Sequence, residues 1–269
     1  MTVFEFDGEK YKKVSGHQKK WGNHLIEELN LKGGETILDL GCGDGVLTAR
    51  LAGMVPEGRV TGIDASQGMI RTARQNEKEN LEFLCMDISQ MEFHESYDII
   101  FSNAALHWIP DHKNLLKRSW KALKPGGMLL WNFAGDGNCK NFFEAVRAKI
   151  KEEKYKKYFQ DFQWPWYMPA VSEYRKLTES CDFTDIEVSE ENRDTYFENA
   201  EALIGWMDQP SLVPFMERLP AREGKEFRQE MIEKMLRETV QPDGRYLEAF
   251  RRIHLRARKK RTDEPAIKK

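Results

Sequence analysis

No apolar run in the 269-residue chain approaches 18 residues, so none of it is expected to cross a membrane. Cysteine is scarce. Cys42, Cys85, Cys139 and Cys181 are the four, and none falls in a C-x-x-C pair. A disulfide framework is not expected, because such frameworks belong to short secreted chains dense in cysteine. There is no basic excess either: 42 Lys+Arg stand against 44 Asp+Glu, a formal net charge of -2. A dedicated nucleic-acid binder is normally strongly basic, so the balance argues against that class. The first ten residues include Glu5, Asp7 and Glu9, which do not suit a secretory signal. These absences predict a soluble, cytoplasmic protein in a reducing setting, with no metal site.

Aromatic residues are plentiful, with 15 Phe, 8 Tyr and 7 Trp, and hydrophobic residues make up 40%. Disordered chains are poor in both, and this length can bury a core as one domain spanning 1–269. Charge is unevenly spread. Residues 251–269 hold nine Lys/Arg and two acids, net +7, and the remainder carries -9. The basic stretch at 258–269 reads as a solvated tail or as an anchor for RNA or an anionic surface.

Through residues 20–135, apolar runs of strand length alternate with helical patterns. Strands are expected at 36–40, 59–63, 81–86, 97–101 and 128–133. Helices are expected around 21–29, 46–52, 67–76 and 114–123, and Lys124-Pro125-Gly126-Gly127 reads as a turn. Continuous apolar strands separated by helices predict a parallel sheet covered on both faces, hence a doubly wound α/β fold. After residue 135 the pattern changes. Helices at 141–158, 171–180 and 199–238 surround a proline-punctuated aromatic loop at 161–169. A strand is expected at 184–188. A last strand is expected at 246–257, with Arg252, His254 and Arg256 on a wet face.

In an open parallel sheet, ligands bind beyond the carboxyl ends of the strands. Four expected strand ends carry candidates: Asp39 with Gly41-Cys42-Gly43-Asp44-Gly45, then Asp64, Asp87 and Asn103. Glycines between strand and helix let the backbone approach a ligand, or simply make a tight turn. The spacing is G-x-G-x-G, with Val46 where the dinucleotide fingerprint has its third glycine. Asp64 can accept both ribose hydroxyls, or cap the following helix together with Ser66. Asp87 can accept from an adenine amino group, or cap in the same way.

The stretch Glu35-Thr36-Ile37-Leu38-Asp39-Leu40-Gly41-Cys42-Gly43-Asp44-Gly45 resembles the first motif of class I S-adenosylmethionine-dependent methyltransferases. Gly62-Ile63-Asp64-Ala65-Ser66 resembles the second motif, Cys85-Met86-Asp87-Ile88 the third, and Leu123–Gly127 the turn before the fifth strand. The resemblance covers about 25–135. It implies a seven-stranded, mostly parallel Rossmann-like sheet and S-adenosylmethionine as cofactor. It implies that Asp39 and the backbone of Gly41 to Gly45 hold the methionine part of the donor. Asp64, with Ala65 beside it, would hold the ribose. Met69, Asp87 and Ile88 would lie at the adenine, and Asn103 beneath the methyl. The segment Phe101–His112 further resembles trans-aconitate methyltransferases, as do Trp206, Leu212–Phe215 with Leu219, and the strand running into Arg256. Gln18 and Trp108 stand where juvenile hormone acid methyltransferases have a Gln and a Trp. Both groups methylate carboxylates of small molecules. No arginine cluster suited to a tricarboxylate is evident, and the aromatic stretch at 164–167 matches nothing in them.

A carboxylate acceptor is ionised at neutral pH and needs donors to position it rather than a base. The candidates are the Gln18 amide, the Trp108 indole and His107. A hydroxyl or thiol acceptor would need a base, and His107 is the histidine at the expected site mouth. Tyr11 would cover the donor or dock as an N-terminal aromatic on the core. The segments 138–182 and 198–242 are expected to form a helical and loop cap over the acceptor, inserted in the C-terminal half beside the donor-binding core at 20–135. Trp206 and Phe215, with Met207, either line that acceptor site or form the interior of the cap. The expected activity is methyl transfer to a small-molecule carboxylate. The rivals are methylation of RNA or protein, a nicotinamide oxidoreductase, and a non-catalytic nucleotide-binding protein.

Overall fold

The computed structural model describes residues 5, 6, 8 and 15–261. Nine strands are labelled in chain order: β1 (Thr36–Leu40), β2 (Arg59–Asp64), β3 (Leu81–Cys85), β4 (Tyr97–Asn103), β5 (Leu123–Ala134), β6 (Phe183–Asn192), β7 (Thr195–Phe197), β8 (Tyr246–Glu248) and β9 (Arg251–Lys259). The main sheet has the order β3-β2-β1-β4-β5-β9-β6. Strands β1 to β5 pair in parallel, and β9 runs antiparallel between β5 and β6. This is the expected doubly wound, mostly parallel seven-stranded sheet.

Alternate residues of the central strands feed opposite cores, which is why these strands are apolar throughout. Leu38, Ile100 and Trp131 enter one core. Ile37, Phe101 and Leu130 enter the other. Helices α1 (Gly16–Glu27), α2 (Val46–Met54) and α3 (Gln67–Ala73) cover the second face with Leu25, Ile26, Leu51 and Ile70. On the first face α4 (His112–Ala122) lays down Leu115, Leu116 and Ala122. Its start is capped by the Asp111 carboxylate, which accepts from Asn114 N at 2.9 Å.

The expected turn at 124–127 lies inside β5. Leu123 pairs with Tyr97 and Met128 with Ile99, so the intervening residues bulge from the ladder, helped by Gly126 at φ +81°.

A third core belongs to the cap. It is built by α5 (Lys140–Lys149), α7 (Ala200–Trp206), α8 (Val213–Met216) and α9 (Ala221–Thr239), with Phe142, Phe215, Phe227 and Met231 at its centre. The helix α6 (Val171–Glu179) behaves differently. Its Tyr174 joins the core of the sheet, so the second half of the 138–182 segment packs on β6.

The expected single strand at 246–257 is two strands. β8 pairs with β7 in a separate ribbon, and the chain bends at Ala249-Phe250 before entering the main sheet as β9. Glu248 fixes the bend. Its buried carboxylate accepts from Asn141 N, Phe142 N and Ala249 N at 2.9–3.1 Å, which also caps the start of α5. The expected wet face holds for His254 and Arg256, half-buried between the buried Ile253, Leu255 and Ala257, but not for Arg252, which is only 3% exposed because the cap and α1 cover this end of β9. No helix among the described residues is long and apolar enough to cross a membrane.

Candidate active site

The loop after β1 is shaped by three left-handed glycines, Gly41 (φ +71°), Gly43 (φ +54°) and Gly45 (φ +78°). A Cβ on Gly41 would lie 2.2 Å from the Ala105 Cβ, so no side chain fits there. Gly41 N and Cys42 N both donate to Ile63 O, at 2.8 and 3.0 Å, tying the loop to the tip of β2. Gly43 N donates to Asp64 Oδ2 at 3.0 Å, and Ser66 N donates to Asp64 Oδ1 at 2.9 Å. Burial pushes the Asp64 carboxyl above the usual range, against these two backbone donors, with Glu5 nearby adding to the rise.

Ser66 caps α3, its Oγ accepting from Met69 N at 3.2 Å. Asp87 caps the next short turn, its Oδ1 accepting from Ser89 N at 2.8 Å. Capping does not take these residues away from the cleft. Asp64, Ala65, Met69, Asp87 and Ile88 all line one cleft together with Gly41 and Gly43. Asp39 does not. It is buried beneath the loop, accepts from Thr48 Oγ1 at 2.7 Å, and is pushed by burial to about 7.

Helix α1 closes the cleft from above. Gly22 permits its close approach, since a Cβ there would meet Leu47 Cδ1 at 2.2 Å and Asn103 Nδ2 at 2.9 Å. Asn103 Nδ2 donates to Gln18 O at 3.0 Å, and Lys19 Nζ pairs with Asp44 Oδ2 at 2.7 Å. Gln18, Asn103, His107 and Trp108 all line the cleft. Gln18 Oε1, Asn103 Oδ1 and His107 Nδ1 are buried there without a hydrogen-bond partner among the described residues. Such groups are costly to leave unsatisfied, and three around one cleft fit a polar ligand between them.

The turn carrying His107 and Trp108 is braced from behind. His112 Nε2 bonds Leu106 O at 2.9 Å and Tyr174 Oη bonds His112 Nδ1 at 2.9 Å. Because a carbonyl only accepts, the neutral ring has its proton on Nε2. Burial lowers His112 to about 4 and keeps it neutral. The His107 pKa is lowered well below its ordinary value by burial and then by the charge of Arg252.

The cleft continues past β4 and β5 to β9. Arg252 lies at this far end. Its Nε donates to Asn132 Oδ1 at 2.9 Å, its Nη2 donates to Asn132 O at 3.0 Å, and its guanidinium sits 5.0 Å over the Trp21 ring. Four strand spacings separate β2 from β9, roughly 19 Å at about 4.8 Å per strand. Acids therefore stand at one end of the cleft and a guanidinium at the other. The cleft as a whole has a volume of about 200 Å³.

Of the residues expected at the acceptor, Trp206 lines the cleft at 2% exposure. Phe215 does not. It is fully buried in the cap, packed on Phe142, Trp166 and Phe227, and Met207 is likewise interior. Tyr11 lies outside the described residues. The sequence reading missed Trp21, Arg252, Asn138, Phe142, Phe143 and Trp166 as lining residues. The unassigned Trp164-Pro165-Trp166 stretch was the available signal for Trp166.

Comparison with known proteins agrees with this architecture. A family model described as a methyltransferase domain matches residues 37–127. The trans-aconitate 2-methyltransferase of Deinococcus radiodurans is 32% identical over 71% of this chain and 74% of its own length. That of Mycobacterium tuberculosis is 29% identical over 93% and 95%. Among solved structures, Haemonchus contortus phosphoethanolamine N-methyltransferase 2, in complex with S-adenosyl-L-methionine, superposes with a TM-score of 0.61. It is 20% identical, and the match covers 94% of this chain and 57% of that one. Similarity of this extent, on this strand order, means that the chain belongs to the class I S-adenosylmethionine-dependent methyltransferases and takes its methyl group from that cofactor.

Proposed function

We propose that the protein transfers this methyl group to a carboxylate oxygen of a small molecule. One observation carries the reading. The acceptor end of the cleft holds a buried guanidinium, and no described lining residue there has a pKa suited to taking a proton. A general base works best with a pKa near the operating pH. Burial and Arg252 hold His107 well below that, and burial raises the Cys139 thiol well above its ordinary value. A hydroxyl, thiol or ammonium acceptor must lose a proton. A carboxylate is already ionised and needs none. The relatives' name points to the same class, since trans-aconitate is a small carboxylate.

The residues present fit the donor. Asp64 retains acceptor capacity for the ribose, and Gly41 and Gly43 bring bare backbone to the methionine part. Met69, Ile88 and Ala65 give an apolar slot for the adenine, with Asp87 at its edge. Asn103 Oδ1 and Gln18 Oε1, both buried without a hydrogen-bond partner among the described residues, would meet the donor in the middle of the cleft. Asp39 acts indirectly, by holding the first turn of α2 through Thr48.

S-adenosylmethionine supplies an activated methyl carbon and a neutral thioether leaving group. The protein's task is alignment. Orientation of two bound reactants lowers a barrier by roughly 7–11 kcal/mol. Arg252 and the Trp108 indole position the carboxylate, and α1 with the cap excludes water. The attacking carboxylate and the sulfonium neutralise one another as the bond forms. A chamber walled by aromatic rings would therefore favour the transition state over the separated charges.

The reading is tested by release of S-adenosylhomocysteine and by product mass, across carboxylates including trans-aconitate, matched alcohols and amines, RNA and protein. Methyl esters are expected. Faster methylation of an alcohol, an amine or a macromolecule would refute the assignment.

A further inference from the structure

We infer that Glu5 is a positioning residue: it clasps the segment carrying Phe6 to the start of α3, and this clasp gates the entry of S-adenosylmethionine and the exit of S-adenosylhomocysteine. The inference rests on the methyl donor and is independent of which acceptor is methylated.

The clasp is made by one carboxylate oxygen. Glu5 Oε1 accepts from Gly68 N at 2.6 Å and from Ser66 Oγ at 3.0 Å. Phe6 N donates in turn to Ser66 Oγ at 3.3 Å. Two glycines permit the close seat. A Cβ on Gly68 would lie 2.2 Å from Phe6 O, and one on Gly8 would lie 2.5 Å from Thr72 Oγ1 and 2.9 Å from Gly68 O. Glu5 is exposed, so the seat of its side chain depends on these hydrogen bonds rather than on apolar burial. Bonds accepted by a carboxylate are of the stronger kind.

Phe6 carries the segment to the other rim. Its ring lines the cleft and meets Trp108 edge-on, with centroids 5.7 Å apart. Ser66 lies just past β2 and Trp108 just past β4, and those two strands flank β1 in the sheet. A segment that touches both sides therefore crosses the cleft beyond the tip of β1, where the Gly41–Gly45 loop stands. Ser66 also ties the clasp to the donor site, because its backbone N donates to Asp64 Oδ1 at 2.9 Å.

An adenosyl ligand moving between the two rims must displace this bridge. Local opening of such a bridge is an equilibrium, and removing its hydrogen bonds multiplies the open population. Opening precedes both binding and release, so loss of the clasp raises both rates together and barely moves Kd. Loss of a direct ligand contact raises the dissociation rate alone.

The test measures association and dissociation rates of S-adenosylhomocysteine with the full chain by stopped-flow tryptophan fluorescence, with thermal melts to verify folding. Glu5→Ala is expected to raise both rates about tenfold, the weight of one hydrogen bond to a charged group at the low end of its range, with Kd within about threefold of wild type. Glu5→Gln keeps an oxygen able to accept from both donors, so its rates should stay within about twofold of wild type. Gly68→Ala leaves Glu5, Ser66 and Asp64 in place and adds a methyl that the backbone of Phe6 cannot accommodate. Both rates should rise in it as well, although alanine is the better helix former. A rise in dissociation alone, with Kd weakened in proportion, would make Glu5 a ligand contact and overturn the gate. Unchanged rates in a folded Glu5→Ala protein would overturn it too, as would Glu5→Gln behaving like Glu5→Ala. Gly68→Ala decides the matter if Glu5→Ala does not fold. Failure of the wild type to bind S-adenosylhomocysteine would instead overturn the donor assignment itself.

Discussion

Replacing Asp64 by Ala separates donor recognition from stability. The two carboxylate oxygens accept from Gly43 N and Ser66 N at 3.0 and 2.9 Å. A carboxylate offers about four acceptor positions, so two remain for the ribose hydroxyls. Hydrogen bonds to a charged group are worth about 1.5–3 kcal/mol each. Asp64 is only half-buried, so the lower figure applies, and two such bonds give about 3 kcal/mol. The expected loss is on the order of a hundredfold in S-adenosylhomocysteine Kd. Stability falls separately, by about 1 kcal/mol for each abandoned backbone donor, or a few degrees in Tm for a chain of this size. The sign of the pH effect follows from burial, which raises the Asp64 pKa. The ionised carboxylate is the form that accepts from the ribose. Wild-type donor affinity is therefore full above the raised pKa and declines as pH falls through it, while the variant lacks that component. Calorimetry at several pH values, with thermal melts to verify folding, reads both effects. A folded Asp64→Ala protein binding within threefold of wild type would refute the ribose assignment.

Asp39→Asn is expected to change the pH dependence of stability. Burial raises this carboxyl to about 7, so its contribution is full below the unfolded pKa near 4 and is lost as pH rises through 7. Relative to the Asn variant, the wild type should lose up to about 4 kcal/mol over that window, read from melts at stepped pH. Phe215→Ala removes a ring from the cap interior and should cost about 3–5 kcal/mol, with donor Kd within twofold because Phe215 does not line the cleft. Trp108→Ala removes ring contacts at 5.7 Å to Phe6 and 5.2 Å to Trp166. Acceptor kcat/KM should fall at least tenfold with little change in S-adenosylhomocysteine affinity. An equal loss in both would place Trp108 at the donor instead.

The donor half of the cleft is legible in the sequence because each of its parts is local. A buried strand, a glycine turn and a helix follow one another within twenty residues at 36–54, and Asp64 and Asp87 stand at strand ends that hydropathy alone locates. The acceptor half is not local. Arg252 alternates with apolar residues along β9, and a period of two reports which face a side chain takes. It does not report what lies over that face. The cap and Trp21 do, and Trp21 and α5 arrive from more than a hundred positions away. The bend at Ala249-Phe250 also depends on Glu248 reaching the start of α5, a contact between positions 106–107 residues apart. Phe215 shows the same limit in reverse: helical spacing marks it as buried without saying which interior it enters.

Arg252 joins two features of the acceptor end that otherwise look independent. Its charge is a cause of the lowered His107 pKa, second only to burial, and it acts in the same direction on His17, which burial first and then Arg252 lower to about 3. The group that would hold a carboxylate therefore also suppresses the nearby imidazolium forms. A site that used His107 to deprotonate an alcohol would need the opposite arrangement, an acid beside the ring to stabilise the protonated state. Among the described residues, the acids lining this cleft stand instead at the adenosyl end, at the tip of β2 and just past β3, several strands away. Removing the guanidinium should raise the His107 pKa, because one of its two largest depressing causes is gone. NMR titration of His107 in Arg252→Met checks this directly. An unchanged His107 pKa would show that the two groups do not sense one another, and would remove the electrostatic argument against base catalysis.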